Sequence, residues 1–287
     1  MGENLFKRQV WKSSWNDDSN TSLRTMQKLG QDDYQTEEFR KWAKSYDRNS
    51  FSDEGKQRSN RILTWIENQT GSFENLSVLD IGAASGVFSI PFAEKGANVT
   101  AIEPSPDLAM MLDNNAKSNS VQVKVIQKTF EEISIDKNEQ LYDLVFASMC
   151  PAMKDWDMIE RALSYAKKYC YLSMMAGPKE NQLMDEILLN IGLKQREIGS
   201  SDMAYLQQLL YLNGYTYQIL IEKQIKTEKI GVDIAINNLK KWFIEYGIQL
   251  EEKWLRESEN YIRETYKDDI SLRMGGRFGK VLVHLED

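Results

Sequence analysis

Between residues 76 and 174 short β-rich runs alternate with helical stretches, and this alternation restricts the fold more than any other property of the chain. Strand-like runs occupy 76–81, 99–103, 121–126, 141–147 and 170–174. Helical stretches at 87–95, 108–117, 158–168 and 181–191 are interleaved with them. A strand, a helix and a further parallel strand close with right-handed crossovers, so such units build a mostly parallel sheet covered on both faces. Ser105-Pro106 suits a cap and first-turn pair for the second helix, whereas Pro91 is expected to kink the first. Two later alternating runs, 215–226 and 279–285, bring the expected sheet to seven strands. The fold class is therefore α/β, a three-layer sandwich.

Around this core the chain divides into four expected parts. Residues 1–72 are polar and helix-prone, and form an N-terminal helical lid. In it Phe39, Trp42, Ala43 and Tyr46 share one helical face, and Ile62, Trp65 and Ile66 repeat the spacing. Residues 73–228 hold the core. Residues 229–276 form a helical insertion, with Ile236, Leu239 and Phe243 on one stripe and Leu250, Trp254, Tyr261 and Ile262 marking a second helix. Residues 277–287 supply the last core strand. The insertion is a candidate lid or homodimer contact.

The chemistry concentrates where the first strand ends. Val78-Leu79-Asp80-Ile81-Gly82-Ala83-Ala84-Ser85-Gly86 reads as strand, acidic residue and small-residue loop before a helix. Small residues let backbone N–H groups approach a ligand, and a helix N-terminus favours negative charge. Glu103 closes the second strand, where a carboxylate can accept from both hydroxyls of a ribose. A nucleoside-bearing ligand follows. A dinucleotide fingerprint needs glycines where this chain has Ala84 and Val87, which weighs against NAD.

With Asp80, the loop and Glu103 in place, the chain resembles the class I S-adenosylmethionine (SAM)-dependent methyltransferases of small-molecule type. The resemblance covers residues 73–228 and the terminal strand, with Ala84 at the middle glycine position. It implies a Rossmann-like fold, S-adenosyl-L-methionine as cofactor and S-adenosyl-L-homocysteine as product. It assigns Asp80, Gly82, Ala83, Ala84, Gly86, Glu103, Pro104, Thr129, Phe130, Ser148 and Met149 to the cofactor. By the same resemblance a helix carrying Trp42 and Tyr46 closes over it, and Tyr46 reaches its carboxylate. Cys150, Pro151 and Met153 are expected to wall the acceptor pocket. Tyr46 and Asp155 are candidates for a base; His284, beside Val281, Leu282 and Val283, reads as a strand residue, and Arg277 as an anion contact. The activity implied is methyl transfer by in-line displacement to a small molecule. The alternatives are a non-catalytic SAM-binding module, or an RNA or protein methyltransferase.

Composition narrows the partners. Lys and Arg total 36 against 43 Asp and Glu, a formal charge of −7 that disfavours nucleic acid. One histidine and two cysteines, Cys150 and Cys170, make neither a metal site nor a disulfide framework. The absence of an apolar leader or spanning segment points to a cytoplasmic protein without a membrane partner.

Overall fold

The computed structural model describes residues 6–30, 32–133, 141–193 and 202–286. Strands β1 (Ser77–Ile81), β2 (Asn98–Ile102), β3 (Val123–Ile126), β4 (Tyr142–Ser148) and β5 (Ala166–Met175) form the parallel part of one sheet. β6 (Glu180–Asn181), β7 (Thr216–Gly231) and β8 (Asp269–His284) add antiparallel strands. The order is β3-β2-β1-β4-β5-β8-β6, with β7 also paired to β8. Among the described residues the sheet thus has eight strands, one more than the expected seven. The extra one is the two-residue β6, too short to show a periodic pattern.

The helices that cover it come in the expected order. α4 (Asp53–Thr70), α5 (Ser89–Glu94) and α6 (Pro106–Ser118) lie on one face. There Leu63 and Ile66 of α4 and Phe92 of α5 pack on Val78, Phe146, Tyr171 and Leu282. Phe146 stacks on Tyr171 at 4.7 Å and meets Phe92 edge-on at 5.2 Å. α7 (Trp156–Tyr165) and α9 (Asp202–Leu212) cover the opposite face, packing on Val145, Cys170, Leu172 and Val281. Pro91 does not kink α5. The helix begins only at Ser89, so the proline falls in the first turn, where a missing N–H costs nothing.

Three further helices precede α4: α1 (Arg8–Asp17), α2 (Ser22–Lys28) and α3 (Glu37–Ser50). α1 docks on α9, with Trp15 stacked on Tyr205 at 5.8 Å. The buried Asp202 fixes this arrangement, accepting from Trp15 Nε1 at 3.3 Å, Ser22 N at 2.8 Å and Ser22 Oγ at 2.7 Å.

The insertion also differs from its expected limits. β7 continues to Gly231, and β8 starts at Asp269, so residues 229–231 and 269–276 belong to a long two-stranded ribbon. Only α10 (Val232–Glu245) and α11 (Glu252–Thr265) are helical between them. They pack on α8 (Gln182–Asn190): Leu239, Phe243 and Ile262 join Leu183, Met184 and Ile187 in a separate apolar cluster.

Candidate active site

The strand alternation that buries Val78 on the α4 face also places Asp80 there, at the C-terminal end of β1. Asp80 is 2% exposed, and its carboxylate accepts from Ser89, through Oγ at 2.6 Å and through the Ser89 backbone N–H. Burial, helped by the nearby Glu103 charge, pushes its carboxyl up to about 7, against the opposing Ser89 hydrogen bonds. Glu103, just past β2, is also buried and raised by burial. It accepts from Ala84 N and Ser105 N, both at 2.8 Å, one on each oxygen. A carboxylate offers about four acceptor sites, so each oxygen keeps capacity for a ligand donor.

The loop between them is folded for close approach. Gly82 and Ala83 donate to Ile102 O at 2.9 and 3.0 Å, which ties the loop to the end of β2. Gly82 has φ +72°, and a Cβ built there would lie 2.5 Å from Cys150 Sγ. Ala84 takes φ +50°, the small-side-chain compromise at the middle loop position.

β4 delivers Ser148 and Met149 to the same end of the sheet. Met149 N donates to Ser173 O at 3.0 Å and Ser173 Oγ at 3.1 Å, and Met149 takes φ +51°. Cys150 faces the loop, where burial pushes its thiol up to about 12 and so disfavours the thiolate. Pro151 is exposed, but Met153 is buried in the α7 face. Phe130 is likewise 2% exposed and packs edge-on to Tyr165 at 5.8 Å. The side chains of Met153 and Phe130 are thus core residues. Thr129 forms a capping box with Glu132.

The N-terminal segment roofs this end. Trp42 and Tyr46 sit 5.1 Å apart on α3, Trp42 half exposed and Tyr46 half buried. The Tyr46 hydroxyl lies within electrostatic range of Asp80 and Glu103, and burial raises it. Tyr34, which the periodicity did not single out, lies near Glu103, Cys150 and Glu131. Burial, with the nearby Glu103 and Glu131 carboxylates, pushes its hydroxyl up to about 12. It meets Phe39 edge-on at 5.1 Å, so four aromatic residues form a continuous strip.

Three other residues lie apart. Asp155 caps α7, accepting from Met158 N at 2.8 Å. His284 pairs with Tyr169, four residues from the Ser173–Lys280 pair, about 13 Å along the strand from the loop end. Arg277 lies exposed, its guanidinium against Gly177.

The donor set fits a SAM-like ligand. Asp80 and Glu103 are buried carboxylates with no Lys, Arg or His partner among the described residues. They call for a hydroxyl-rich, cationic ligand.

Residues 78–170 match the family model described as a methyltransferase domain. This segment, about a third of the chain, holds Asp80, the loop, Glu103 and the β4 exit. Among curated relatives, the chain is 36% identical over 84 residues to a ubiquinone biosynthesis O-methyltransferase of Rickettsia felis, covering 29% of this chain and 33% of that enzyme. It is 24% identical over 182 residues to a release factor glutamine methyltransferase of Flavobacterium psychrophilum, covering 62% of each. The alignment with the first therefore spans about a third of that relative's length. Among solved structures, it is similar to the YcgJ protein of Bacillus subtilis at 16% identity and TM-score 0.49, covering 79% of this chain and 99% of that one.

Proposed function

We propose that the protein transfers a methyl group from SAM to a small-molecule acceptor held beneath the N-terminal helices. The observation that carries this reading is the buried, cation-free pair Asp80 and Glu103 flanking the glycine loop. When bound, SAM supplies an activated methyl on a positively charged sulfur. Glu103 then accepts from the ribose hydroxyls, and Asp80 orders the loop beside the amino acid moiety. Tyr46 and Tyr34 close the roof and exclude water, leaving in-line displacement to proceed by positioning. Pro104, Thr129 and the backbone at Ser148 and Met149 border the ligand in this reading. Cys150 and Pro151 border the acceptor.

Calorimetry with S-adenosylhomocysteine tests the donor half directly. The protein is expected to bind it, and Glu103→Ala to weaken binding roughly 100-fold, because two hydrogen bonds to a charged group are lost. Binding of NAD with no response to S-adenosylhomocysteine would refute the reading. Methyl transfer from labelled SAM to a small-molecule fraction tests the acceptor half.

A further inference from the structure

Strand register places a second polar group on the face that carries Asp80. Asp80, Phe146, Tyr171 and Leu282 are register neighbours across β1, β4, β5 and β8. Two residues further toward the loop end the row becomes Ser148, Ser173 and Lys280. Ser148 Oγ and Ser173 Oγ lie 3.1 Å apart, and the Tyr171 hydroxyl is close to both and to Glu222. Lys280 is 5% exposed and forms an ion pair with Glu222, which reaches it diagonally from β7.

This lysine is out of place for a structural role. Lysines serve on sheet edges, yet β8 lies between β5 and β7. Only the ammonium side of the pair is buried, the Glu222 side chain being 36% exposed, so desolvating Lys280 offsets much of an attraction that solvent already weakens. An ammonium has three donors, and Glu222 is its one charged partner among the described residues. Lys280 is the register partner of Ser173, so it stands on the strand next to the Ser148–Ser173 hydroxyl pair, at the end of the sheet where β4 delivers Met149. Strand spacing puts the Lys280 backbone about 10 Å from Ser148 and roughly 14 Å from the β1 strand that carries Asp80.

Resting on the methyltransferase reading, we propose that Lys280, with Ser148 and Ser173, is the acceptor-anchoring site, and that it takes an acidic oxygen, a carboxylate or an ionised hydroxyl, on a small acceptor. Glu222 holds the ammonium in place and yields one of its donors to the ligand. Lys280 is a specificity-determining residue here, and it makes no contact with the donor.

Three probes of one shape test this: 4-nitrobenzoate, 4-nitrophenol and nitrobenzene, titrated into the full-length protein saturated with S-adenosylhomocysteine. At least one acidic probe is expected to bind about tenfold or more tightly than nitrobenzene, consistent with one charge-assisted hydrogen bond. The preferred probe separates a carboxylate acceptor from a hydroxyl one, and the visible spectrum of 4-nitrophenol reports its ionisation. Lys280→Met should abolish the preference while S-adenosylhomocysteine affinity is unchanged. The pair Lys280→Met with Glu222→Gln removes both charges together and guards against an orphaned carboxylate. Equal binding of all three probes, binding of none, or a preference that survives both variants would overturn the proposal. Failure of S-adenosylhomocysteine itself to bind would instead strike the methyltransferase reading.

Discussion

Replacing Asp80 by Asn should change the pH dependence of stability in a way that only a buried, unpaired carboxylate can produce. Its carboxyl stands at about 7 against an ordinary 3.8. Folding therefore takes up a proton between those values. The stabilising protonation is present at low pH and is lost as pH rises toward neutrality. At about 1.4 kcal/mol per unit, the ionised side chain costs the ligand-free fold about 4.5 kcal/mol at about pH 8. At about pH 5 the folded group is protonated, and the cost is only that of protonating an ordinary Asp at that pH, about 1.7 kcal/mol. Asn carries no charge at either pH. The fixed cost of burying its amide cancels when the two conditions are compared. Relative to the parent, Asp80→Asn should thus be about 3 kcal/mol more favourable at the higher pH, which is about 6 °C in Tm for a chain of this size. Differential scanning fluorimetry of both proteins across this range, without ligand, measures it. A Tm difference that stays flat with pH would refute the assignment of a raised Asp80. The same variant should bind S-adenosylhomocysteine more weakly if the carboxylate orders the loop.

Gly82→Ala should destabilise the protein by about 2 kcal/mol or more, since a Cβ meets Cys150 Sγ at 2.5 Å and φ is +72°. Adding Cys150→Ala should recover the steric part and leave the backbone strain, so denaturant midpoints of the single and double variants should differ; identical midpoints would show that the thiol is not the obstacle. Asp202→Ala should cost about 3 kcal/mol by stranding the donors of Trp15 and Ser22. Limited proteolysis should then cut near residues 20–30 before anywhere else, and uniform cleavage would count against the anchor. Tyr46→Phe should weaken S-adenosylhomocysteine binding by about threefold to tenfold, the worth of one hydrogen bond, and unchanged calorimetric affinity would remove Tyr46 from the site.

Much of this site was legible in the chain because it depends on local order. A strand, an acidic end residue and a small-residue loop put Asp80 and Glu103 at the C-terminal end of neighbouring strands whatever packs around them. Residues whose role depends on distant partners were harder to read. Phe130 and Met153 are fixed by the α7 face, which no local spacing reveals. Asp155 could have been read as a cap, since Asp just before a helical stretch is a strong N-terminal signal. Tyr34 lies outside any helical period and reaches the site only through the path from α2 to α3. The outer halves of β7 and β8 were missed because polar residues and Gly275-Gly276 interrupt the apolar alternation that marks a strand inside the sheet. Lys280 was hidden for the opposite reason. A strand covered on both faces shows no in-and-out pattern to flag a buried charge.

The order of the sheet has a consequence for how the protein is made. β8 is synthesised after β5 and β7 yet lies between them. The strands that carry Asp80 and Glu103 pair side by side early, so this half of the site can assemble while translation continues. Until residues 269–284 leave the ribosome, β5 presents an open row of backbone donors and acceptors, and β7 has no neighbour to hold it. The growing chain would thus hold its nucleoside-binding end before the sheet is closed. The lysine that sorts acceptors would arrive with the strand that seals it.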